Sequence, residues 1–155
     1  MIQRIQTVYL LLSVLLLGLM FFLPLAHAVG PQNTVFRIMI WGYDDPAASS
    51  SPVVNSLNLA VTALSGATIL LNLITIFRYK KRRFQKRLCS VQIVLLLLTT
   101  GVLVSYLKAF GDRASSAVSL SVTVAFPLVA VILTLLARRG IAKDDKLVRS
   151  LDRIR

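Results

Sequence analysis

Four stretches of this chain run for twenty residues or more without a single Asp, Glu, Lys or Arg: about Thr7 to Ala28, Pro52 to Phe77, Leu88 to Leu107 and Ala114 to Ala137. A helix rises about 1.5 Å per residue, and a bilayer core is about 30 Å thick, so about 20 apolar residues suffice to cross it. Each stretch meets that test. Only 15% of the 155 residues are charged, against about 25% in a soluble domain, and mean hydropathy is +0.76. Lipid is the expected solvent for most of the chain. Four spans leave no room for a separate soluble domain, so residues 1–155 are read as one membrane domain.

Direction follows from the Lys and Arg between the spans, because cytoplasmic loops carry the excess. Arg4 precedes the first span. The first loop, residues 29–51, holds Arg37 opposed by Asp44 and Asp45. The second, residues 78–87, holds seven cations: Arg78, Lys80, Lys81, Arg82, Arg83, Lys86 and Arg87. The third holds Lys108 and Arg113. The tail holds another seven: Arg138, Arg139, Lys143, Lys146, Arg149, Arg153 and Arg155. Both termini are therefore expected in the cytoplasm. Ala26-His27-Ala28 also matches a signal-peptidase pattern. The apolar stretch before it, Val8 to Leu23, is long for a signal peptide, so retention as a span is the preferred expectation.

Helices in lipid associate through close packing and interhelical hydrogen bonds. In the second span Asn58, Thr62, Ser65 and Asn72 share a face, and Ala60, Ala63 and Ala67 form a small-residue stripe roughly opposite, so neighbours are expected on both sides. Ser116, Ser119, Thr123, Pro127, Ala130 and Thr134 make a comparable stripe in the fourth span, and Gln92 and Thr99 stand seven apart in the third. The first span is nearly all Leu, Phe and Met, apart from Ser13 and Gly18, and is expected to face lipid most. Pro127 is expected to kink the fourth helix. Asn58, Thr62, Ser65, Asn72, Gln92, Ser119 and Thr123 are the candidate helix–helix packing residues.

Two exposed pieces stand out. Val35 to Tyr43 is an apolar run that suits either a strand or hairpin over the outer mouth or an interfacial segment, with Trp41 and Tyr43 at headgroup depth. At the other end, Gly140 is placed to cap the fourth helix, and a new helix can begin near Asp144. Leu147, Val148, Leu151 and Ile154 would form its apolar face, and Lys146, Arg149, Asp152 and Arg153 lie largely on the other. A basic amphipathic helix of this kind lies on a membrane surface or docks a partner. The candidate contacts to anionic lipid are Arg78, Lys80, Lys81, Arg82, Arg83, Lys86, Arg87, Lys146, Arg149 and Arg153.

The predicted fold is all-α: an integral membrane four-helix bundle, N-in/C-in, with a short cytoplasmic amphipathic C-terminal helix. No catalytic, cofactor or metal constellation is legible. His27 is the sole histidine, Cys89 the sole cysteine, and every acid is an Asp outside the spans. The chain is therefore read as non-catalytic, a scaffold or accessory subunit contacting anionic lipid or a protein partner, or pairing with a second copy. The alternative is a small channel or transporter using the polar stripe of the second span. Nucleic acid is not an expected partner, because no reading module accompanies the basic run.

Both ends also carry a resemblance. Met1-Ile2-Gln3-Arg4-Ile5-Gln6-Thr7-Val8-Tyr9-Leu10-Leu11 resembles the opening of a bacterial four-span membrane family, domain of unknown function 4293. Arg139-Gly140-Ile141, Asp145-Lys146-Leu147-Val148-Arg149-Ser150 and Asp152-Arg153 resemble that family's end. The resemblance implies the bacterial cytoplasmic (inner) membrane and brings no activity, ligand or catalytic residue.

Overall fold

Proline decides where the first helix stops. In the computed structural model, which describes residues 2–29, 35–43, 52–78, 82–114 and 118–152, α1 spans Ile2–Leu19. The apolar run continues past it, but Pro24 disfavours helical backbone at the residue before it. The last turn tightens, with Phe21 N–H bonded to Gly18 O (3.1 Å) and Phe22 N–H to Leu19 O (3.0 Å). The chain then enters strand β1 (Ala26–Val29), followed by β2 (Val35–Met39) and β3 (Gly42–Tyr43).

Helix α2 runs Pro52–Phe77 and α3 runs Arg82–Ala114. A further departure from simple helix follows. Residues expected to open the fourth span instead form β4 (Val118–Leu120) and a 3-10 turn (Val122–Ala125), and α4 (Phe126–Asp152) starts only there. Pro127 does not kink α4. It occupies the first turn, where its missing N–H has no partner to lose.

The four strands form one antiparallel sheet in the order β3-β2-β1-β4. Ala26 lies opposite Ile38 and Leu120, His27 opposite Arg37 and Ser119, and Ala28 opposite Phe36 and Val118. The all-α expectation is thus corrected to a mostly helical fold with a small sheet. Neighbouring helices pack α1 on α2, α2 on α3, α3 on α4 and α4 back on α1. The sheet sits across one end of this ring. Ala26, Ala28, Ile38 and Ile40 join Met20, Val61, Leu103 and Tyr106 in a buried cluster. Thr62 Oγ1 donates to Ile40 O at 2.6 Å, tying the sheet to α2, and the exposed Trp41 indole donates to Phe21 O at 3.3 Å.

Helix α1 has both an outward and an inward face: Ile5, Val8, Leu11, Leu12, Leu15 and Leu19 are exposed, while Gln6, Leu10, Ser13 and Leu17 are buried. Cleavage after Ala28 would cut inside β1, an inner strand whose Ala26 and Ala28 are buried. The tail differs as well. α4 passes through Gly140 without a cap or a break, so no separate amphipathic helix forms. Ile141, one turn after Ala137, is buried with it against Leu10 and Cys89. That packing outweighs the helix-breaking tendency of glycine, about 1 kcal/mol. The absence of a side chain at Gly140 lets α1 approach: a Cβ there would stand 2.9 Å from Gln6 Cγ.

Candidate functional site

The exterior of the helix ring is apolar, and its interior mixes apolar clusters with buried polar side chains. Leu59, Leu70, Phe77, Val94 and Leu98 are exposed, while Ser13, Ser65, Thr68, Asn72, Thr75, Gln92, Thr99 and Thr134 are buried. Every buried polar side chain among the described residues is a hydroxyl or an amide.

These groups fall into a layer. Leu10, Cys89, Ala137 and Ile141 form one apolar cluster, with Ile76 packed against it. Leu17, Leu96 and Ala130 form another, flanked by Ile69. Between them every helix places fully buried polar side chains: Ser13 between Leu10 and Leu17, Asn72 and Thr75 between Ile69 and Ile76, Gln92 between Cys89 and Leu96, and Thr134 between Ala130 and Ala137. The seven-residue spacing keeps all three levels on one face of each helix.

The hydrogen bonds divide the layer in two. Threonines bond their own helix: Thr134 Oγ1 to Ala130 O at 2.8 Å, Thr68 to Leu64 O at 2.7 Å and Thr99 to Leu95 O at 2.8 Å. This is the usual way a hydroxyl is satisfied inside a helix bundle. The amides behave differently. Asn72 Nδ2 donates to Ser13 Oγ at 3.1 Å, joining α2 to α1. Its Oδ1, both polar atoms of Gln92 and Ser65 Oγ are buried with no protein group in hydrogen-bonding reach.

A second feature lies at the end away from the sheet. The exposed Arg78, Lys86, Arg87, Arg139 and Lys143 and the half-buried Arg138 gather there. They share that end because Cys89 near the start of α3 packs with Ala137 and Ile141 of α4. Gln85 Nε2 also donates to Thr75 O at 3.2 Å, joining the start of α3 to the end of α2. Arg78 lies over the Phe84 ring, 5.4 Å from its centroid. At the sheet end the exposed cations among the described residues are Arg37 and Lys108.

The sequence-predicted residues distribute as follows. Ser65, Asn72, Gln92 and Thr123 are buried, Asn58 and Thr62 half-buried. Ser119 is exposed on β4, opposite His27, and packs no helix. Of the second stripe of α2, Ala63 and Ala67 face outward and Ala60 is half-buried. Of the lipid candidates, Arg82 and Arg83 open α3, and Lys146 and Arg149 lie in α4. Lys80, Lys81 and Arg153 lie outside the described residues. Sequence reasoning noted Ser13 and Thr134 without joining them to Asn72 and Gln92. The shared seven-residue apolar spacing on all four helices was the available signal. Among the described residues, no group of three or more His, Cys, Asp or Glu side chains converges.

Three helices are long and apolar enough to cross a membrane, Ser56–Phe77, Phe84–Gly111 and Val122–Asp145, with a shorter apolar helix at Ile5–Leu19. With helices of this length and an apolar exterior, the chain is a membrane protein. It belongs to the family described as Domain of unknown function (DUF4293), whose model matches residues 2–154. No curated protein matches the chain.

Proposed function

We propose that the chain is a non-catalytic, multi-pass protein of the bacterial cytoplasmic membrane, with both termini inside. In this reading it is a scaffold or accessory subunit whose cationic end contacts anionic lipid or a protein partner. The observation that supports the reading is the gathering of Arg78, Lys86, Arg87, Arg138, Arg139 and Lys143 at one end of the ring, opposite the sheet. A cation near an anionic leaflet contributes about 1 kcal/mol. A cytoplasmic placement of this end also agrees with the positive-inside bias.

The test is extraction of the full chain in a mild detergent, followed by native mass spectrometry of what comes with it. Exchanging Lys86, Arg87, Arg139 and Lys143 together for Gln is expected to reduce retained anionic lipid, or the retained partner, by about ten-fold or more. A protein that comes out alone, with lipid retention unchanged in the variant, refutes the reading. A channel or transporter along the Asn58–Asn72 stripe is less favoured, because the two apolar clusters stand across such a path on either side of Asn72.

A further inference from the structure

The cationic end does not account for the buried amides. Gln92 is fully buried, on the same face of α3 as Cys89 and Leu96, and neither end of its amide meets a protein partner. Asn72 Oδ1 and Ser65 Oγ share that condition on α2. A buried polar group without a partner is costly, and more so in a medium where water cannot supply one from outside. Threonines in the same interior avoid that cost by bonding their own helix, whereas the longer amides direct their donors and acceptors at their surroundings.

The surroundings define what fits. Ser13, Ala130, Thr134 and Ala137 are small, and they stand opposite the two large amides in the same stretch of the ring. Apolar clusters close the layer on both sides, seven residues or about 10 Å apart along each helix. The unpartnered groups within it are a donor (Gln92 Nε2) and two acceptors (Gln92 Oε1 and Asn72 Oδ1). Among the described residues no charged side chain is buried, so an ion would find no counter-charge there.

We infer that the layer of Ser13, Asn72, Gln92 and Thr134 is a closed internal binding site for a small uncharged guest that both donates and accepts hydrogen bonds. Such a guest is water or a neutral alcohol or amide. It bridges α2 and α3, completing the polar contact that Asn72 makes to α1. This site is independent of the cationic end and of any partner there.

The experiment uses the full chain in lipid nanodiscs, with side-chain amide resonances of Asn72 and Gln92 assigned by NMR. Rotating-frame cross-peaks between those amide protons and water are expected, despite complete burial. Glycerol and acetamide are then added as probes. Water cross-peaks that persist assign water as the guest. Solute cross-peaks that replace them, with a midpoint of unfolding that rises with solute concentration, assign a neutral solute. The absence of cross-peaks to water and to both probes overturns the inference. Gln92→Met provides an independent sign. It is expected to lower the unfolding midpoint by about 2–4 °C, because it removes bonds to the guest. An amide that truly had no partner would be relieved by the exchange, so a raised midpoint also overturns the inference.

Discussion

Adding one methyl group at Gly140 probes how closely α1 and α4 approach. A Cβ there would stand 2.9 Å from Gln6 Cγ, 3.4 Å from Nε2 and 3.5 Å from Cδ. Carbon atoms rest at about 3.5–4.0 Å, so the two helices or the glutamine must give by roughly 0.6 Å. The nearest atom is the inner carbon of a side chain that is only 6% exposed, and it has little room to swing away. Overpacking of this kind costs about 1–3 kcal/mol. The same substitution in an unobstructed helix gains about 1 kcal/mol from the higher propensity of alanine. Gly140→Ala alone is therefore expected to be neutral or destabilising by up to about 2 kcal/mol. In a Gln6→Ala background every atom within 3.5 Å of the new Cβ is gone, and Gly140→Ala should stabilise by about 1 kcal/mol. The coupling energy of the cycle is then about 1–3 kcal/mol. Reversible unfolding in mixed micelles, titrated with sodium dodecyl sulfate, measures all four corners. Equal effects of Gly140→Ala in both backgrounds would refute the close approach.

Two further perturbations address the links between elements. A double-mutant cycle of Ser13→Ala and Asn72→Leu should return about 0.6 kcal/mol, and no more than about 1.7 kcal/mol, the range for hydrogen bonds between membrane helices. A coupling of zero in the same unfolding assay would mean that the 3.1 Å bond contributes nothing between α1 and α2. Thr62→Val removes the donor to Ile40 O while preserving shape, and is expected to cost about 1 kcal/mol locally. Amide hydrogen exchange should accelerate about five-fold in β2 relative to α3, and unchanged protection of Ile38 and Met39 would refute the tether.

The helical part of the fold was legible because lipid imposes a length that few other structures need. The sheet was not, although its signals are present in the residues. Pro24 interrupts the first apolar run, and Val118-Ser119-Leu120-Ser121-Val122-Thr123-Val124 alternates apolar and polar at every position. That is the strand period, which a reading for i, i+4 stripes absorbs into a helix. Pro127 carries the same information, since a proline this close to a run of leucine, valine and isoleucine marks a helix start as well as a kink. The 18-residue α1 reaches about 27 Å, short of the bilayer core. The turn and β1 that follow it occupy the remaining height beside α3, whose Tyr106 packs against the sheet.

The interior layer shows a deeper limit of pattern reading. In water, an apolar stripe points inward because the solvent outside is polar. In lipid both sides of a helix can be apolar, so hydrophobicity does not say which face is buried. On α2 the Asn58–Asn72 face and the Ala60–Ala67 face were equally good candidates for a helix contact. The structure buries Ser65 and Asn72 and turns Ala63 and Ala67 outward. What distinguishes the two faces is a partner more than fifty residues away: Ser13, the first span's single hydroxyl within its leucines, stands at the height of Asn72 and accepts its hydrogen bond. Polar residues therefore orient these helices, and the arrangement becomes readable only when each one is matched across helices at the same depth. Leu10 and Leu17, Ile69 and Ile76, Cys89 and Leu96, and Ala130 and Ala137 supply that depth scale, with Ser13, Asn72, Gln92 and Thr134 between them.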